Sequence, residues 1–294
     1  MSSDPVVAVC GPASWNHLIL LDRLPEPVPH MQFARRSWHT VGGTSAGKAL
    51  HLAGLGIDVR LCSPLAADDD GELVCDLLTA AGVTVQPIAS DRTERHVNLM
   101  DDHGGRVSLY VSVPSTPSPS TLQSTGATVA AADVAVIDLS ELGVLLLESG
   151  VVGQTPLWVD LHDYDGSSAF HEPFVRASDV LFMNDDRTDN PWELMRSCIE
   201  RGPRLAVCTR GADGAIALEA NGARHEISAL PADVVDTNGA GDAFMAGFLA
   251  ATVRGAAVAQ ALEAAAAQAR IAIETEHLHP VLLEHPMSGV IQTP

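Results

Sequence analysis

Short apolar runs recur along the chain, most of them closed by glycine or proline. Val6–Cys10 runs into Gly11-Pro12, which predicts a buried strand and a turn. Leu18–Leu24 is apolar again, and Pro25, Pro27 and Pro29 then break regular structure. Residues 30–41 alternate loosely, as a strand ending at Gly42-Gly43 would. Gly47–Gly56 carries Ala49, Leu50, Ala53 and Leu55 at helical spacing, and Ile57–Ser63 reads as a strand. Gly71–Ala81 predicts a helix with Leu73, Val74, Leu77 and Leu78 on its apolar side, followed by a strand at Val83–Pro87.

Further on, Arg95–Met100 and Arg106–Val113 alternate around Asp101–Gly105, a hairpin signal. Pro114–Thr121 is rich in Ser, Thr and Pro and reads as a connector. Strand patterns return at 133–139, 157–161, 179–183, 204–209 and 214–218, with helical segments between several of them. An alanine-rich helix is expected over 256–274. This alternation predicts an α/β fold: one mostly parallel central sheet flanked by helices, without a break into two equal domains. The hairpin at 93–113 and the proline-bounded segment 25–41 stand outside the alternation. They read either as a small β lid or as surface decoration.

Residues 233–253 combine a turn with a buried helix. Asn238 and Gly239 interrupt an apolar context, and Phe244, Phe248 and Leu249 then fall at helical spacing. The first amides of a helix have no internal partners, and the helix dipole adds positive charge there. Gly239, Ala240 and Gly241 carry no bulk that would keep an anion away, so the junction reads as a phosphate cradle. Asp242 would repel a phosphate inside that cradle, but it suits a base facing a second substrate's hydroxyl. The alternative is that Asn238 or Asp242 only caps the helix.

Composition narrows the partners. The 294 residues are 46% hydrophobic with 4% aromatics, so Ala, Val and Leu must fill the core. A net charge of −20 argues against nucleic acid or an anionic membrane as partner. It leaves room for a phosphorylated substrate held by local amides and a metal ion. The cysteines, Cys10, Cys62, Cys75, Cys198 and Cys208, are scattered and form no Cys-x-x-Cys pair, which predicts reduced thiols in a cytoplasmic protein. The opening Met-Ser-Ser-Asp-Pro lacks the pattern of a leader peptide, and no apolar stretch is long enough for a spanning helix.

A second phosphate motif competes. Gly42-Gly-Thr-Ser-Ala-Gly-Lys48-Ala49 nearly matches the P-loop, and Val134–Asp138 resembles the strand and Asp that hold magnesium beside one. Ala49 lacks the hydroxyl that ligates the metal, and a P-loop leaves 236–242 unexplained.

Asp236-Thr-Asn-Gly-Ala-Gly-Asp242 resembles the Asp-Thr-x-Gly-Ala-Gly-Asp signature of the ribokinase-like (PfkB) family of carbohydrate and nucleoside kinases. Gly42-Gly43 resembles that family's N-terminal Gly-Gly signature, and Thr209–Gly214 its Thr-x-Gly-x-x-Gly turn. Gly11–Asn16, Asp68–Gly71 and Asn184 fit weaker family elements, so the likeness spans nearly the whole chain. The resemblance implies an ATP-dependent kinase that phosphorylates a hydroxymethyl of a sugar or small polyol. Its alternatives are a nucleoside kinase and a non-catalytic ligand-binding protein on the same fold.

By resemblance, Asp242 is the catalytic base and the amides of Gly239, Ala240 and Gly241 form the anion hole. Asn16, Gly42, Gly43 and Gly47 contact the acceptor. Asn184, Thr209, Gly211, Gly214 and Asn238 contact the nucleotide. Mg2+ and a monovalent cation such as K+ are implied as cofactors, and a homodimer through the lid as the assembly. Three positions depart from the family pattern. Asn16 replaces the usual Asp, Gly47 the usual Asn, and Arg187 the Glu linked to magnesium; Asp185 or Asp186 can substitute for that carboxylate, with Asp186 named as the metal residue, or nucleotide phosphates and water hold the metal.

Overall fold

The computed structural model describes residues 5–101 and 104–284. The opening Met-Ser-Ser-Asp and the turn residues Asp102 and His103 lie outside the described residues. The chain begins with β1 (Val6–Cys10), β2 (Ser14–Leu21), β3 (Arg36–Gly42) and α1 (Thr44–Gly54). β4 (Asp58–Leu65), α2 (Asp69–Ala80), β5 (Thr84–Ala89), β6 (Glu94–Asp101) and β7 (Arg106–Ser112) follow. Helix and strand then alternate through α3 (Pro119–Ala130), β8 (Val134–Ile137), α4 (Glu141–Ser149), β9 (Leu157–Asp160) and α5 (Glu172–Ala177). β10 (Val180–Asn184), α6 (Pro191–Ile199), β11 (Leu205–Thr209), β12 (Ala215–Glu219) and β13 (Arg224–Ile227) complete the strands. Two long helices, α7 (Ala240–Val253) and α8 (Val258–Ile273), come last.

The strands make two sheets. The large one runs β13-β12-β11-β10-β9-β8-β1-β4-β5 and is parallel from β11 to β5. Only β12 and β13, at one edge, are antiparallel. Its central strands are short Val/Leu/Ile runs because both faces are covered, so no position needs to be polar. β8 and β9 are buried at every residue. Alternate side chains feed two cores. Val7 and Val9 pack with Leu50, Phe248 and Leu262 on one face, and Ala8 and Cys10 pack with Leu142, Phe174 and Met195 on the other.

The second sheet has the order β3-β2-β6-β7. β3, β6 and β7 come from the segments read as a lid, and β2 joins them. β2 pairs with β3 antiparallel and with β6 in parallel, so residues distant in sequence meet in one layer.

Two local expectations need correction. The connector read at Pro114–Thr121 already contains the start of α3. Ser118 caps it by accepting from the Thr121 amide, and Pro119 occupies the first turn, where a missing N–H costs nothing. The Ser/Thr/Pro composition is that of a helix start as well as of a loop. Helix α1 begins at Thr44, before Gly47, with Gly43 as its cap at φ 94°. A Cβ at Gly43 would strike the Pro12 carbonyl at 2.4 Å, so the strand-to-helix turn requires glycine twice over.

Candidate active site

Helix α7 starts without a side-chain cap. Gly239 is its N-cap in the left-handed region, at φ 79°, and offers no side chain to the first amides. Neither Asn238 nor Asp242 caps it. Asn238 Oδ1 accepts instead from Arg106 Nη1 at 2.6 Å, and the Asn238 amide donates to Asp236 Oδ1 at 2.9 Å. A Cβ at Gly241 would meet nothing within 4 Å. The uncapped turn therefore opens on free space, the arrangement that suits an anion.

That space is a cavity of about 610 Å3, lined by Ala240 and Gly241. Asn184, Asp186, Thr209, Gly211 and Gly214 line it too. They gather there because β10 and β11 both end at this edge, and loops beyond the carboxyl ends of parallel strands form the crevice of an open α/β sheet. Gly214 sits at φ 90°, and a Cβ there would strike the Ile227 carbonyl at 2.0 Å. Much of the remaining wall is apolar, with Ile227, Leu230, Val234, Phe244 and Ile273. Asn238, Gly239, Asn16, Gly42, Gly43 and Gly47 are not on this lining.

Among the described residues no group of three or more His, Cys, Asp or Glu could hold a metal ion alone. Magnesium does not need such a cage, because it commonly takes one or two carboxylates with substrate phosphates and water. Asp185 and Asp186, both on the cavity wall, fit that use. Arg187 does not compete with them, since it pairs with Asp163 at 3.3 Å.

Asp242 lies in the first turn of α7, with 9% of its surface exposed. Its Oδ1 takes a short hydrogen bond from Thr44 Oγ1 and a 2.8 Å bond from Lys48 Nζ. Lys48 is 1% exposed and also meets Asp138 Oδ1 at 2.9 Å and Asp160 Oδ2 at 3.3 Å. The Asp138 contact is an ion pair without an aligned hydrogen bond, while Ser45 Oγ donates to Asp138 Oδ2 at 2.5 Å. Asp160 lies 3.6 Å from His162 Nδ1.

The charges are strongly perturbed. Burial opposes the Lys48 ammonium, but Asp138, Asp242 and Asp160 outweigh it and hold its pKa above the ordinary lysine value. Burial also opposes the Asp160 carboxylate, yet His162 and Lys48 bring its pKa down to about 2. At Asp242 burial wins over Lys48 and Thr44, and the pKa rises above the usual carboxylate value. A buried carboxylate with a raised pKa beside a cleft is suited to proton transfer.

Gly47 borders this carboxylate, for a Cβ there would lie 2.9 Å from Asp242 Oδ2. Gly42 borders Asn16, whose Nδ2 would be 2.0 Å from its Cβ. Asn16 is itself buried and accepts from Ser14 Oγ at 2.8 Å. A smaller cavity of about 210 Å3 is lined by Gly11, Glu94, Tyr110, Ser140 and Glu141 from both sheets, with no Lys or Arg. Gly11 ties it to the acidic cluster, because a Cβ there would strike Ser45 Oγ at 2.3 Å.

The P-loop reading of Gly42–Lys48 does not survive. Strand β3 belongs to the small sheet, and Lys48 is held by three carboxylates instead of facing the cavity. Sequence reasoning missed this cluster. A signal was present: Thr44 and Lys48 are four apart on a helix, and Asp138 and Asp160 close apolar strands at the carboxyl edge.

Residues 177–282 match the family model described as pfkB family carbohydrate kinase. An acarbose 7(IV)-phosphotransferase from an Actinoplanes species is 31% identical over 260 residues, 85% of each chain. The chain belongs to the pfkB family of carbohydrate kinases. A nucleoside kinase from Methanothermobacter thermautotrophicus is 28% identical over 291 residues, covering 94% of this chain and 92% of the relative. Among solved structures, a microbiome-derived acarbose kinase superposes with TM-score 0.82 at 25% identity, covering 98% and 96% of the two chains. As a pfkB kinase the protein is a phosphotransferase with an alcohol group as acceptor, on a ribokinase-like fold with a second, smaller sheet.

Proposed function

We propose that this pfkB kinase transfers the γ-phosphoryl group of ATP to a hydroxymethyl of a neutral sugar or related polyol. The observation that carries the reading is the pairing of an uncapped helix N-terminus with a buried carboxylate one residue further on. ATP would occupy the 610 Å3 cavity, with adenine against the apolar wall by Leu230 and Phe244. Its phosphates would point at the amides of Gly239, Ala240 and Gly241. Asn184, Thr209, Gly211, Gly214 and Asn238 are the proposed nucleotide contacts. Asp186 would hold Mg2+ together with the phosphates. When bound, the metal neutralises phosphate charge.

The acceptor would enter between the two sheets, beside Asn16, Gly42, Gly43 and Gly47. Asp242 takes the proton of its hydroxyl as the oxygen bonds to the γ-phosphorus. The bond to the β-phosphate oxygen breaks and ADP leaves. The backbone amides then stabilise charge on the transferring group. The small sheet acts as the lid of a single catalytic domain. We further propose a homodimer through that sheet. We propose a cytoplasmic enzyme, a reading that the free cysteines support.

A neutral acceptor is favoured by charge. A sugar phosphate needs a free cation, yet Arg92 pairs with Asp91, Arg95 with Asp70, Arg36 with Glu276, and Arg106 bonds Asn238. Relatives act, by their names, on acarbose, on a nucleoside and on ribose 1-phosphate, so the choice of a neutral acceptor rests on charge alone. An ADP-release assay with ribose, fructose, acarbose, adenosine and fructose 6-phosphate tests the reading. Turnover is expected with a neutral acceptor. A clear preference for fructose 6-phosphate overturns the charge argument, and no turnover on any member of a wide sugar and nucleoside panel leaves the ligand-binding alternative standing. Asp242→Asn is the control and should lower kcat about 10²–10⁴-fold.

A further inference from the structure

Lys48 lies outside the ATP cavity and has no part in the reaction as drawn above, yet it is the largest buried charged side chain in the core. Its hydrogen bonds are not shared evenly. Nζ donates to Thr44 Oγ1 at 2.5 Å and to Asp242 Oδ1 at 2.8 Å, while its contact with Asp138 is not aligned. Thr44 in turn donates to the same Oδ1. Among the described residues, no hydrogen bond reaches Asp242 Oδ2. That oxygen faces the bare Cα of Gly47.

We infer that Lys48 is a positioning residue for Asp242: with Thr44 it anchors Oδ1 and so presents Oδ2 as the atom that takes the acceptor's proton. The inference rests on the proposed role of Asp242 as base. Charge makes the anchor consequential. Asp138, Asp160 and Asp242 would be three buried carboxylates against one ammonium. Asp160 repels the Asp242 charge and Lys48 attracts it. The groups facing Asp242 are thus Thr44 and Lys48 from α1, Asp138 after β8, and Asp160 at the end of β9 with His162 beyond it. Removing the ammonium takes away the charge that attracts the Asp242 carboxylate and leaves the repulsion of Asp160, which favours its protonated, inactive form.

The test is the pH profile of kcat/KM for the acceptor, measured on the whole enzyme with melting curves alongside. Lys48→Met, which keeps length and apolar bulk, should move the acid limb up by about 1–3 pH units. Activity should then return at high pH, with KM for ATP little changed. Asp160→Asn removes a repelling charge and should move the same limb down. A folded Lys48→Met enzyme that loses activity equally at every pH, with its acid limb unmoved, overturns the inference and leaves Lys48 a structural residue. If Lys48→Met does not fold, Asp138→Asn with and without Lys48→Met makes the same comparison with one carboxylate fewer. An unmoved limb there overturns the inference too. Asp242→Asn separates the two claims. Normal turnover in that variant defeats the base assignment itself, whereas a dead Asp242→Asn with unmoved limbs elsewhere defeats only the role of Lys48.

Discussion

Asp160 and Asp242 share one ammonium and are perturbed in opposite directions. Asp160 has a folded pKa of about 2, below its ordinary value of 3.8. Its contribution to stability is therefore present above pH 3.8 and lost as the pH falls towards 2. At 1.36 kcal/mol per pH unit this is about 2 kcal/mol. Asp160→Asn should be less stable than the natural protein by that order at neutral pH. Urea melts should show the gap closing as the pH falls from about 4 to 2, and a gap independent of pH would contradict the assignment. Asp242 is raised, so the opposite sign applies. Its ionised form opposes folding, and the contribution is lost as the pH rises through the folded pKa. Asp242→Asn should therefore hold or raise Tm at neutral pH while turnover collapses. Asp242 stood out in sequence because of its glycine-rich neighbours. Lys48 stood out for another reason, its P-loop spacing, and only its buried carboxylates show what it does.

Helix α7 has two glycines with different duties. Gly241 borders open space, and a Cβ there touches nothing within 4 Å. Gly247 lies where α7 crosses α8, and a Cβ there would meet the Ala264 carbonyl at 2.8 Å and Gln268 Cβ at 2.8 Å. Gly241→Val should leave Tm nearly unchanged but crowd the proposed phosphate site, lowering kcat/KM for ATP. Gly247→Val should do the reverse, destabilising the fold by about 1–3 kcal/mol through overpacking. Kinetics and thermal melts on the pair read both outcomes. Equal loss of stability in the two variants would show that the cradle is not open. Helix α7 was legible in sequence because it is apolar and long. The start of α3 was not, because Ser118 and Pro119 serve a loop or a helix cap equally well.

For the whole molecule, the outer strand β7 of the small sheet leaves Leu109, Tyr110 and Val111 at least half exposed. An exposed apolar edge strand invites pairing with another chain. Sedimentation equilibrium should find a dimer, and Leu109→Lys should shift it towards monomer. A natural protein that is monomeric at micromolar concentration would remove the proposed interface. The net charge of −20 bears on catalysis as well. Arg36, Arg92 and Arg95 pair with carboxylates, and Arg270 on the cavity wall pairs with Glu274, so Arg106, bonded to the neutral Asn238, is left to face most of the phosphate charge together with a metal. Transfer from labelled ATP should stop in excess chelator and return with Mg2+. Full activity in chelator would refute the metal role, and replacing K+ in the same assay reads the monovalent requirement.

The sequence by itself determined the α/β class, the order of most strands and the turn before α7. Those follow from local rules: apolar periodicity and glycine at strained turns. That the first amides of α7 are uncapped was decided by the structure, since Asn238 and Asp242 are both capping residue types. It marked Asn184, Thr209 and Gly214 separately, but only the parallel order of β10 and β11 brings them to one cavity. Tertiary structure also decided the partners of β2 and the burial of Lys48 among Asp138, Asp160 and Asp242. Pairing across a sheet and burial of charge depend on residues far apart in the chain, whose meeting no short window records.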